Sequence, residues 1–405
     1  MKRIFSISFF LAFFLMACGG QSENPDVKTP EDEANLIPEE FQAAYHDMDS
    51  TLDEFIASQP KTGGQAPVFA AGLSYANGNA GESLLNPEIP ALVHKQLDAL
   101  QAMGVQGVVM AIPVPILEPD FPRSDEFLEF FKQVAEDVYA HNMQLLVECG
   151  PIFAGTIFSP ARVDWSKYTK ASFVQARKNQ LQTIATEIKP DILQIANEPS
   201  TTTLLTGFDL TPEEFTDFVQ SSIDLIDKSS GIQISAGAGT WEDPAYMNGL
   251  IQIDKLDTID IHIYPMGRNA MLLHRAMETA ALAVTRGKRV GISEAWLYKV
   301  DSDELVEVGG DFEMIYSRDA YSFFEPLDEK FIRALTLMAR ANEIEWISFF
   351  WTRNFFVYLD YETYHTRSDQ QINQALNQAS FTAIDNGTFS ALGDFYKNWI
   401  IEQNQ

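Results

Sequence analysis

The chain has 405 residues, with 57 acidic and 28 basic side chains and a formal net charge of −29. That balance argues against a nucleic-acid partner and against adsorption to an anionic membrane, both of which select for Lys and Arg. It suits a solubilising surface and is compatible with a neutral substrate.

The N-terminus reads as a processing signal. Lys2 and Arg3 give a positive start, and Ile4 to Met16 is apolar and aromatic but too short to span a bilayer as a helix. Leu15-Met16-Ala17-Cys18-Gly19 follows and resembles a bacterial lipobox. The resemblance implies a signal peptide over residues 1–17 and lipidation of Cys18, where an ordinary secretory signal is the alternative. Residues 18–60 are expected to be a lipidated tether and a short helix. Gly19 to Glu33 is polar and lacks apolar periodicity, whereas Phe41, Ala44, Met48, Leu52 and Ile56 recur at helical spacing. Membrane contact is expected through the lipid alone, which places the protein at the cell envelope, on the outer membrane or cell surface. Cys149 is then the one remaining thiol, so no internal disulfide is expected.

Residues 61–405 are expected to form one catalytic domain. From Pro67 onward, apolar runs of strand length alternate with helical segments. The strands are Val68 to Leu73, Gly107 to Ile112, Leu145 to Cys149, Ile192 to Ala196, Ile232 to Ala236, Thr258 to Ile263, Arg289 to Ser293 and Ile344 to Phe350. Helices are expected over Leu92 to Met103, Glu126 to His141, Phe173 to Ile188, Pro212 to Lys228, Tyr246 to Ile253, Met271 to Arg286, Phe331 to Asn342 and Leu392 to Glu402. Asp125, Thr211 and Asp328 sit where helix caps are expected. Eight strand–helix units fit an α/β fold of the (β/α)8 TIM-barrel type. A doubly wound sheet is the alternative, but no G-x-G-x-x-G follows the first strand.

In such barrels, chemistry gathers at the C-terminal ends of the strands. Strand four ends Asn197-Glu198-Pro199, strand six His262-Ile263-Tyr264-Pro265, strand seven Glu294-Ala295-Trp296 and strand eight Trp351-Thr352-Arg353-Asn354. Two glutamates facing each other across a barrel mouth are the minimum for glycoside hydrolysis, one as acid and the other as nucleophile or base. Taken singly, Glu198 equally suits a helix cap, Glu294 an arginine partner, and His262 a core position.

This set of strand ends resembles glycoside hydrolase clan A, particularly family-five-like retaining β-glycanases. The resemblance implies Glu198 as acid/base, Glu294 as nucleophile, and Asn197, His262 and Tyr264 as support. It also implies Trp351 as a sugar platform, with Trp296 and Trp241 lining the cleft or packing. The substrate would be an oligo- or polysaccharide with β-linked units, of glucan or mannan type, and no cofactor is implied. A non-catalytic glycan-binding lipoprotein and a transglycosylase on the same barrel are the alternatives. The sequence departs from the family at two strand ends. Strand two ends Ile112-Pro113-Val114-Pro115 without an arginine, and strand three ends on Glu148 rather than a histidine. Glu148 is expected to contact a substrate hydroxyl, and Arg353 to supply the missing cation. The segments Val300 to Pro326 and Asn354 to Asn373 are expected to wall the cleft. No metal is expected: His46, His94, His141, His262, His274 and His365 show neither H-x-H nor H-E-x-x-H spacing.

Overall fold

The computed structural model describes residues 37–60, 63–265, 271–301, 303–304 and 312–405. The expected signal, Cys18 and the polar tether lie outside the described residues. No described helix is long and apolar enough to cross a membrane.

Eight parallel strands close into a barrel in chain order. They are β1 (Val68–Gly72), β2 (Gly107–Ala111), β3 (Gln144–Glu148), β4 (Ile192–Gln194), β5 (Gln233–Gly239), β6 (Thr258–Ile263), β7 (Arg289–Ala295) and β8 (Ile344–Phe349). β8 returns to pair with β1, so no edge is left open. The (β/α)8 expectation is met, and every expected strand forms. Helices such as Ile89–Met103, Ser124–Ala140 and Met271–Thr285 cover the outside.

The floor of the barrel is apolar. Ala70, Val109, Leu146, Ile192 and Trp346 form one buried cluster. Trp346 fits because β2 carries a glycine opposite it: a Cβ on Gly107 would lie 2.2 Å from the indole Cη2. Side chains along a strand alternate faces. Two residues beyond Leu146 and Ile192, the same inward face therefore carries Glu148 and Gln194, and the lumen turns polar.

The helices show where local pattern and tertiary packing part. Thr211 caps its helix with a reciprocal capping box, as its position predicts. Asp125 lies inside the first turn of its helix, behind Arg123 in a left-handed conformation. Asp328 is no cap either. Its helix begins at Glu325, and its carboxylate is buried against Lys299 and Tyr358. The N-terminal helix Glu39–Ser58 buries Tyr45, Met48, Leu52 and Phe55. Phe41 packs against Phe323 and, edge to face, Phe324, and Lys330 pairs with Asp49 and Asp53. The helix Asp369–Asn386 had no counterpart in the sequence reading, because its Gln- and Asn-rich face hides the few apolar anchors, among them Ile372 and Leu376.

The Gly107–Trp346 contact gives a test of the floor. Gly107→Val should destabilise the protein by about 1–3 kcal/mol through overpacking, seen as a lower urea midpoint. Combined with Trp346→Leu, it should cost less than the sum of the two single changes.

Candidate active site

The polar layer is built from four strands. Gln194 (β4), Asp260 and His262 (β6), Ser293 and Glu294 (β7) and Glu148 (β3) converge above the apolar floor. Regular alternation would send Ser293 and Glu294 to opposite faces. The β6–β7 ladder breaks between Asp260 and His262, and the β7–β8 ladder breaks between Ile292 and Ala295. Such irregularities re-aim side chains, and both residues reach the lumen. Asp260 Oδ1 accepts from the amides of Ile261 (2.8 Å) and Ser293 (2.9 Å) at the break.

Glu198 follows β4 in a left-handed conformation, φ 37° and ψ 72°. A non-glycine residue held there is strained, and such strain persists where surrounding contacts enforce it. It occupies the N-cap position of the helix Pro199–Thr206, yet makes no capping hydrogen bond. Its carboxylate instead reaches His262, whose Nδ1 donates to Oε1 at 2.7 Å. The same nitrogen lies 3.4 Å from Glu294 Oε2. Tyr264 donates its hydroxyl to that oxygen at 2.7 Å. The structure thus brings Glu198, Glu294, His262 and Tyr264 together, and no arginine is needed to account for Glu294.

His262 is fully buried, and the surrounding carboxylates Glu294, Glu198 and Glu148 hold its pKa well above the ordinary value against the opposing cost of burial. Both ring nitrogens then donate. Nε2 faces Ser293 Oγ at 3.0 Å, Ser293 faces Gln194 Oε1 at 3.4 Å, and Gln194 Nε2 donates to Asp260 Oδ2 at 2.6 Å. Gln194, Asp260 and Ser293 were missed in the sequence. The signal was there: each is a polar residue inside an otherwise apolar strand.

Glu148 is 5% exposed, so little of it is open to the expected contact with a substrate hydroxyl. Its Oε1 has no hydrogen-bond partner and lies 3.8 Å from His262 Nε2. Ligand atoms of Glu148, His262 and Glu294 all lie within 4.8 Å of one another. Two carboxyls this close do not both ionise readily. Tyr264 and His262 favour charge on Glu294. Burial and the Glu294 charge push Glu148 well above the usual carboxylate range. Glu294 is also raised by burial, opposed by His262 and by hydrogen bonds from Tyr264 and Glu148. These three groups could in principle ligate a cation, but the imidazole nitrogens are already committed to Glu198 and Ser293.

The remaining expected residues separate. Asn197 is half-buried beside Glu198, its Oδ1 against Gly150 at the end of β3. Trp351 is half-buried at the end of β8, 4.8 Å from the Tyr316 ring, with the Arg353 guanidinium 4.2 Å from its own centroid. Arg353 is held by Asn377 and the Tyr316 carbonyl, so it braces Trp351 and makes no described contact with the two glutamates. Trp296 has no exposed surface and packs under the Lys299 ammonium, so it offers no face to a ligand. Trp241 is half-buried near the site, its ring 5.8 Å from Tyr264 and its Nε1 directed at Ser200 Oγ. Of the two expected walls, Tyr316 reaches Trp351, whereas Tyr361 packs on Phe41 and Phe323.

Arg177 was also missed. It is fully buried between Phe173 and Phe218 and donates to the carbonyls of Cys149 (3.0 Å) and Ile195 (3.1 Å). It ties the ends of β3 and β4 together and so fixes the backbone that carries Glu148 and Glu198.

No protein-family model matches this chain, and no curated protein sequence matches it. Solved structures do resemble it. GH5_18 from Bifidobacterium longum subsp. longum ATCC 55813 has a TM-score of 0.55 at 13% identity, over 84% of this chain and 79% of its own. A variant of that protein in complex with Manb1-4GlcNAc has a TM-score of 0.54 at 13% identity, over 83% of this chain and 78% of its own. The exo-beta-1,4-mannosidase Op5Man5 from Opitutaceae bacterium strain TAV5 has a TM-score of 0.54 at 11% identity, over 85% of this chain and 62% of its own. At this identity the likeness establishes the shared barrel.

The proton on Glu148 is directly testable. Its raised folded value means that its contribution to stability is full at low pH and is lost as pH rises through that value. His262, raised too, adds a loss of the same sign. Glu148→Gln should flatten the decline in thermal stability as pH rises above the ordinary carboxylate range. It should also remove an infrared band of a protonated buried carboxyl that the wild type retains above the ordinary carboxylate range.

Proposed function

We propose that this protein is a retaining glycoside hydrolase of the clan A type, acting on β-linked oligo- or polysaccharides. The observation that carries the reading is the shared nitrogen. His262 Nδ1 lies 2.7 Å from Glu198 Oε1 and 3.4 Å from Glu294 Oε2. Those oxygens can be no farther apart than the sum of these distances. That limit on the facing oxygens is compatible with the separation of about 5–5.5 Å between the carboxyl groups of retaining enzymes.

In this reading Glu294 attacks the anomeric carbon as Glu198 passes a proton to the departing glycosidic oxygen. A covalent glycosyl-enzyme forms and the first product leaves. Water then attacks the anomeric carbon, Glu198 takes its proton, and the bond to Glu294 breaks. The proton that Glu198 passes on is supplied to its Oε1 by His262 Nδ1, 2.7 Å away. Tyr264 and protonated Glu148 hold Glu294 as the anion that attacks. Asn197 lies beside Glu198, suited to a sugar hydroxyl, and Trp351, braced by Arg353, suits a sugar ring.

Two similar structures bear on the sugar. One is named an exo-beta-1,4-mannosidase and another holds Manb1-4GlcNAc. They support a β-mannosidic or related β-glucosidic substrate. Lipidation at Cys18 and a place on the cell envelope complete the proposal, and would put the barrel where extracellular glycan is met.

Hydrolysis of manno-, gluco-, xylo- and galacto-configured β-glycosides and glycans tests the reading. One class should be cleaved, with the first product released in the β configuration by NMR. Glu198→Gln should lower kcat by about 10²–10⁴-fold, the usual worth of a positioned general acid, and Glu294→Gln by at least as much. Inverted product, or activity that survives both substitutions, would defeat the proposal.

A further inference from the structure

A second cluster of metal-ligating side chains lies away from the carboxylates. His94 and Asp98 stand one helical turn apart on the helix Ile89–Met103. His141 caps the C-terminal end of the helix Ser124–Ala140, just before β3 begins. This is the N-terminal end of the barrel, where side chains serve stability rather than chemistry. One ligand atom from each of the three residues lies within 4.8 Å of the other two. Asp98 Oδ1 is 3.3 Å from His141 Nε2, and Asp98 Oδ2 is 3.8 Å from His94 Nε2. Ligands about 2.0–2.2 Å from a tetrahedral zinc ion stand roughly 3.3–3.6 Å apart, so side-chain adjustments of about an ångström close the set.

The outer contacts point the same way. A histidine that binds metal through one nitrogen usually donates the other N–H to a carboxylate or backbone carbonyl, which fixes the tautomer. His94 Nδ1 donates to the Asp137 carboxylate at 2.9 Å. His141 Nδ1 donates to the Asp137 carbonyl at 2.7 Å. A single residue thus orients both imidazoles, and leaves both Nε2 atoms directed at Asp98. The rings meet at 67° with centroids 5.0 Å apart, so they converge rather than stack. His141 is 8% exposed and held in place, while Asp98 faces solvent and leaves room for a water as fourth ligand.

We propose that His94, Asp98 and His141 form a zinc site that staples the helix Ile89–Met103 to the end of the helix Ser124–Ala140. Two imidazoles and one carboxylate in a tetrahedral arrangement favour Zn²⁺ over the oxygen-seeking Mg²⁺ and Ca²⁺. The proposal is independent of the glycosidase reading.

The test uses the full chain, stripped with a chelator and titrated with Zn²⁺ and with Co²⁺ as a spectroscopic stand-in. One ion should bind per chain, Co²⁺ should give the visible absorption of a tetrahedral site, and Tm should rise with Zn²⁺ concentration. His94→Ala and Asp98→Ala, both at exposed positions, should each lose the Co²⁺ spectrum and the Tm rise. Glu294→Gln should keep them, which separates this cluster from the one around His262. Absence of binding, or binding unchanged in His94→Ala and Asp98→Ala, would overturn the site. Loss of binding in Glu294→Gln alone would assign the ion to the active centre instead and equally overturn it.

Discussion

One buried imidazole organises this barrel. His262 has no contact with solvent, yet it faces Glu198, Glu294 and, at longer range, Glu148. Burial alone would drive it neutral, and three carboxylates around a neutral ring would repel one another. Instead the carboxylates hold the proton affinity of the ring well above its ordinary value. Burial and the Glu294 charge push Glu148, whose Oε1 has no hydrogen-bond partner, well above the usual carboxylate range. Glu294 is raised by burial too, but His262 and the Tyr264 hydroxyl oppose the rise. The two carboxyls thus differ in proton affinity a few ångström apart, set by what each can accept.

That arrangement needs more side chains in the lumen than regular strands supply. Break points in the ladders on both sides of β7 let Ser293 and Glu294, neighbours in the chain, face inward together. Asp260 stabilises the break by accepting the Ser293 amide, and Gln194 links Asp260 to the serine beside the imidazole. Glu198 reaches the site from a left-handed backbone, with Arg177 securing the Ile195 carbonyl three residues before it. Irregular backbone here is what converts a packed barrel into a site.

Much of this was legible in the chain. Glu198, His262, Tyr264 and Glu294 each end an apolar run of strand length, and apolar runs in an alternating βα pattern have few ways to pack. The residues whose expected roles shifted were those whose role depends on direction. Trp296 follows the nucleophile candidate by two positions but points into the core. Arg353 follows Trp351 by two and turns beneath its ring. Glu148 ends its strand as the others do, yet stops short of the surface. Strand position tells where a side chain starts, but not how deep in the lumen it stays.

The sequence by itself determined the eight strands, their order, and which carboxylates stand at their ends. Those follow from local periodicity and from the rule that parallel strands joined by helices close with their C-terminal ends together. Only the tertiary structure decided which carboxylate keeps its proton, which tryptophans remain near the site, and how close the two glutamates come. Each of those depends on distances between residues far apart in the chain, and on the desolvation that only a closed barrel imposes.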